Sequence, residues 1–162
     1  MMIPCTEFIP AYSELFAFLE KRGGKQAVID YWEHLAAEGI PLLEEHVRRD
    51  GIVGCYKYWS HTLNEEAADF VMRCDEANGV FTIEMRYCPS KGRLLEWKHF
   101  TPYPDYCEHC DVIYRRVLEP LGFRYECDLS QCDQARCFLK ISCRPQPTGL
   151  KWSTSGNSNQ LQ

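Results

Sequence analysis

Asn78-Gly79 sits between two stretches in which apolar and polar side chains alternate, and no other feature of the sequence limits the fold as tightly. Phe70, Met72 and Cys74 alternate with Val71, Arg73 and Asp75 before it, and Phe81, Ile83, Met85 and Tyr87 alternate with Thr82, Glu84 and Arg86 after it. A period of two sends successive side chains to opposite faces of a strand, and Asn-Gly tolerates the positive φ values of a tight hairpin turn. The segment therefore predicts an antiparallel hairpin with one apolar face that must be covered.

A second pair of alternating runs comes late in the chain: Phe123, Tyr125, Cys127 and Leu129, then Ala135, Cys137, Leu139, Ile141 and Cys143, joined by the polar stretch Ser130 to Gln134. Everything before the first hairpin has helical spacing. Phe8, Tyr12, Leu15, Phe16 and Leu19 form one stripe that stops at Gly23-Gly24. Val28, Trp32, Leu35, Leu42, Leu43 and Val47 form another, with a break expected at Pro41. Asp50-Gly51 introduces a third helix from Ile52 to Leu63. Between the hairpins a short helix is expected over Lys91 to Trp97 and a longer one over Asp105 to Leu118. Asp105 is the expected N-cap, Glu108 completes a variant capping box, and Glu119-Pro120-Leu121-Gly122 closes the helix. This order predicts an α+β domain: N-terminal helices, then two hairpins with a helical crossing between them, forming a four-stranded, mostly antiparallel sheet covered by helices.

Length and composition fit one domain over residues 1–147. A core this size suits 162 residues at 45% apolar and 25% charged, and the Ser, Gly, Asn and Gln of 148–162 read as a disordered tail. With 18 basic against 23 acidic residues, a net charge of -5 and no basic stripe, nucleic acid is an unfit partner. No apolar run approaches the roughly 20 residues of a membrane span, and the N-terminus has no signal-peptide pattern, so a cytoplasmic location is expected. A small-molecule substrate or ligand is the expected partner, with room for a homo-oligomer.

The cytosolic thiol pool disfavours disulfides, so the ten cysteines read as metal ligands, catalytic groups or buried thiols. The densest constellation is Tyr106-Cys107-Glu108-His109-Cys110-Asp111, with Tyr114 a turn further. On a helix Cys107, Cys110, Asp111 and Tyr114 share one face, and a thiol at a helix N-terminus is expected to ionise more readily. Cys107 and Cys110 could equally be small buried hydrophobes. One Cys-x-x-Cys supplies two metal ligands, so zinc or another transition metal would need Cys88, His109 or Cys137 as well. Cys127, Cys137 and Cys143 share the phase of Leu139 and Ile141 and are expected in the core. His61, in the aromatic segment with Tyr58 and Trp59, is a candidate acid or base. Tyr58, Trp59, Tyr106 and Lys91 are the expected ligand contacts. His34, His46, Glu65, Glu66 and Asp69 read as solvated or element-end groups.

Across Tyr106 to Ser130 and Phe138 to Ile141, with Cys88-Pro89 upstream, Gly122 before the penultimate strand and Cys137 in the last one, the sequence resembles the L-2-amino-thiazoline-4-carboxylic acid hydrolase-like family. The resemblance implies hydrolytic opening of a small sulfur-containing ring at its amidine-like carbon, giving a carbamoyl cysteine type of product. Such chemistry needs a nucleophile and an acid for the ring nitrogen. Cys107 is the first-choice nucleophile, with Cys110 next and Cys88 a third sulfur, and Asp111 or His61 serves as acid or base. Beside this hydrolase reading stands a small-molecule- or metal-binding module, holding zinc or an iron-sulfur cluster, without hydrolase activity.

Overall fold

A computed structural model describes residues 8–65 and 68–144; the expected tail at 148–162 and Glu66 lie outside them. Helix α1 spans Phe8–Gly39 and kinks at Gly24, whose φ of 71° and ψ of -177° are accessible to glycine and break the helix where the sequence punctuates it. Helix α2 (Pro41–Asp50) starts on its proline, which needs no N–H there, and α3 (Ile52–Glu65) packs on it. The two helices approach closely at Gly54, where a Cβ would lie 2.2 Å from the His46 carbonyl oxygen.

Strands β1 (Asp69–Asp75) and β2 (Val80–Tyr87) form the Asn-Gly hairpin, α4 (Pro89–Glu96) and α5 (Glu108–Leu118) follow, and β3 (Phe123–Asp128) and β4 (Cys137–Cys143) complete the sheet. The order is β1-β2-β4-β3 and every pairing is antiparallel, so the two hairpins join into one sheet through β2 and β4. Register stacks Cys74, Phe81, Ile141 and Tyr125 in one inward row and Met72, Ile83, Leu139 and Cys127 in the next. Trp59 of α3 lies flat on Phe81, ring centroids 5.7 Å apart, so the sheet's apolar face is sealed by α3 with α5 beside it. A second cluster, Phe16, Val28, Trp32, Leu94, Tyr103, Tyr106 and Ile113, holds the two halves of α1 against the segment leading into α5.

Two local expectations are corrected. Asp105 does not cap a helix: it lies in the turn at 104–107, α5 begins at Glu108, and Cys107 occupies the cap position without a side-chain bond. Lys25 takes both carboxylates instead, pairing with Asp105 and, at 2.8 Å, with Glu108, while its ammonium stands 5.3 Å from the Trp32 ring. The residues suited to box the helix end therefore tie it to α1. Cys143 is exposed rather than in the core, because it stands opposite Phe123 at the end of the sheet, its N–H donating to the Gly79 carbonyl at 2.9 Å. Among the described residues no helix is long and apolar enough to cross a membrane.

Candidate active site

Tyr106 anchors the start of α5. Its side chain is buried and its hydroxyl shares a 2.7 Å hydrogen bond with Ser90 Oγ of α4. One turn on, His109 Nδ1 bonds the Tyr106 carbonyl oxygen and His109 Nε2 lies 3.4 Å from Cys110 Sγ. A carbonyl only accepts, so Nδ1 carries the ring hydrogen and Nε2 is left to accept from the thiol. Burial among Tyr12, Phe16 and Tyr106 pushes the His109 pKa down to about 4, against the pull of the Tyr106 carbonyl, so the imidazole is neutral at ordinary pH. The arrangement has three parts: a thiol, a neutral base facing it, and a backbone group that fixes the base's tautomer and orientation.

This pair opens on a hollow of 270 Å³ between α1 and α5, lined by Tyr12, Leu35, Ile40, His109, Cys110, Ile113 and Tyr114. Tyr114, a turn further along α5, extends the wall, its ring 5.1 Å from Trp59. Cys110 and Tyr114, expected on one helix face, do share this wall. Their expected companions do not line it. The Asp111 carboxylate is held by Arg115 (2.6 Å), which also bonds Glu119 (3.0 Å) and the Tyr125 carbonyl (2.8 Å). Cys107, at the cap, stands on the side of Lys91, Cys88 and Cys132, and the expected depression of its pKa is reversed: burial raises it, the neighbouring thiols of Cys110 and Cys132 add to the rise, and Lys91 opposes them. One helix terminus cannot offset that desolvation.

The remaining expected residues are scattered. His61 is exposed on α3, Tyr58 packs edge-on against Trp59, and Trp59 is buried in the core rather than offered to a ligand. Lys91 is 7% exposed, and its backbone N–H donates to the sulfur of Cys88, the N-cap of α4. Among the described residues no three His, Cys, Asp or Glu side chains are grouped to hold a metal ion, so Cys88, Cys107, His109 and Cys110 do not form the expected zinc set. Cys88 is turned to cap α4. The sulfurs nonetheless cluster: burial raises Cys137, and the thiols of Cys110, Cys127, Cys88 and Cys107 raise it further, while Cys127 is pushed up to about 12, by burial first and Cys110 second.

Sequence reasoning missed Tyr12, Leu35 and Ile40. Tyr12 and Leu35 sit on the apolar stripes of α1 and Ile40 in the link to α2, and nothing local distinguishes a residue lining a hollow from one filling the core. No family model, curated protein or solved structure matches the chain.

Proposed function

We propose that the chain is a hydrolase acting on a small carbon-nitrogen substrate of cyclic amidine or thiazoline type, with Cys110 as nucleophile and His109 as the group that moves the proton. One observation carries this reading: the Cys110 thiol faces an imidazole whose tautomer is fixed by the Tyr106 carbonyl, and both open on the hollow between α1 and α5. The hollow's 270 Å³ is just below the roughly 300–1,000 Å³ of sites for drug-sized ligands, which suits one small substituted ring.

In this scheme the Cys110 proton passes to His109 Nε2 as the sulfur attacks the amidine carbon. The ring carbon-sulfur bond then breaks, and the departing ring sulfur takes the proton from His109. Water adds to the resulting enzyme-bound isothiourea, and expulsion of the Cys110 sulfur, reprotonated through His109, leaves a carbamoyl cysteine type of product. In the same scheme Tyr114, which lines the hollow, donates a hydrogen bond to the ring nitrogen and makes its carbon more electrophilic.

A second reading, a small-molecule-binding module without turnover, is favoured by the low basicity that burial imposes on His109. The test is to incubate purified protein with 2-amino-thiazoline-4-carboxylate and follow ring opening by liquid chromatography and mass spectrometry. Hydrolysis lost in Cys110→Ser supports the enzyme. Saturable binding with no product supports the module, and neither binding nor product removes both.

A further inference from the structure

Among the described residues the helices cover one face of the sheet and leave the other bare. Arg73, Asp75, Glu84, Arg86, Arg124, Asp128, Phe138 and Lys140 are all exposed on that outer face, and Phe138, on the central strand β4, retains 41% of its surface. We propose that this face is a dimerisation surface on which a second copy of the chain docks, sheet to sheet, about a two-fold axis parallel to the strands between β2 and β4.

The argument rests on the register. The outward rows across β1-β2-β4-β3 are Asp75, Val80, Ser142, Arg124; then Arg73, Thr82, Lys140, Glu126; then Val71, Glu84, Phe138, Asp128. A two-fold axis between the central strands exchanges β1 with β3 and β2 with β4 while keeping each row against itself. Arg73 then meets the second copy's Glu126, and Asp75 meets its Arg124, each pair occurring twice. In the first two rows the signs run in opposite order on the two edge strands, so both contacts are attractive at this register and a slip of one row opposes like charges; Arg124 and Glu126, paired with each other at 3.0 Å in the single chain, exchange that contact for the two across the interface. Phe138 falls beside the axis, opposite the second copy's Glu84 and diagonal to the second copy's Phe138, and loses exposed surface there. Arg86 and Arg136 meet at the far end, in a region that also holds Glu84 and Asp128.

Four strands about 4.8 Å apart and roughly seven residues long give a face near 400 Å² in projection. That is below the ~800 Å² per partner of a standard interface, so the dimer dissociates in the micromolar range or above and is weakened by salt.

Light scattering or sedimentation of the full chain, at low ionic strength and over roughly 10–500 μM, tests this in the range such small interfaces occupy. The expected result is a mass that rises to two chains. Arg73→Glu should restore the single-chain mass, Phe138→Asp should do the same, and Arg73→Glu combined with Glu126→Arg should recover the dimer. Arg73 and Phe138 are exposed, and circular dichroism verifies that the variants fold. A single-chain mass at every concentration, the outcome if solvent or residues 145–162 cover the face, overturns the proposal. So does a dimer unchanged by Arg73→Glu and Phe138→Asp, or a charge swap that fails to recover association.

Discussion

Arg115 of α5 donates to the backbone carbonyl of Tyr125 on β3 at 2.8 Å, while the same guanidinium pairs with Asp111 and Glu119. Asp111, a residue whose helical spacing suggested catalysis, is thereby part of the clasp that fixes α5 on the sheet. Arg115→Ala should cost about 1–2 kcal/mol, the value of a charge-assisted bond plus partly exposed ion pairs, and Asp111→Asn less than about 1 kcal/mol. Urea denaturation measures both. Asp111→Asn should leave the turnover rate within a few-fold of the unaltered chain, whereas an acid at the reacting centre would cost more, typically about 100-fold or greater.

Burying His109 makes folding sensitive to acid. Its folded pKa of about 4 lies below its ordinary 6.5, so between these values the unfolded chain binds a proton that the folded chain refuses. Stability contributed by this group is complete above about pH 6.5, is lost as pH falls toward 4, and totals on the order of 1–3 kcal/mol. Urea midpoints across this window should fall more steeply for the unaltered chain than for His109→Gln.

The fold was legible because its signals are local. Alternation on either side of Asn78-Gly79, the break at Pro41 and the stop at Gly23-Gly24 each reflect the backbone's own preferences, and the structure follows them. The site was legible only in part, because spacing along α5 says which side chains share a face and not what that face meets. Cys110 and Tyr114 meet a hollow, whereas Asp111 meets Arg115 and Cys107 meets other thiols. The His109 and Cys110 pair could not be found by helical spacing, since adjacent residues on a helix point about 100° apart. It forms because the histidine ring is turned by its bond to the Tyr106 carbonyl one turn earlier.

Thiol reactivity should run against the helix-terminus expectation. With iodoacetamide at neutral pH, Cys143, exposed at the sheet's end, should be modified well before Cys107, whose thiol burial holds protonated. Cys55, buried and pushed up to about 12, should stay unmodified until the chain unfolds. Peptide mapping over a time course ranks them.

Trp59 stacks on Phe81 in the core over the sheet. Phe81→Ala should cost about 3–5 kcal/mol through lost burial and the cavity left behind, and Phe81→Leu about a third of that. Equilibrium unfolding of the two variants separates cavity formation from a general loss of apolar surface.

Acid quenching of the protein during incubation with 2-amino-thiazoline-4-carboxylate, followed by intact mass and peptide mapping, reports directly on the nucleophile. A transient adduct of substrate mass on the peptide carrying Cys110, absent in Cys110→Ser and accumulating when His109→Gln slows its hydrolysis, is the predicted result. An adduct on Cys107 or Cys88, or ring opening that proceeds undiminished in Cys110→Ser, contradicts it.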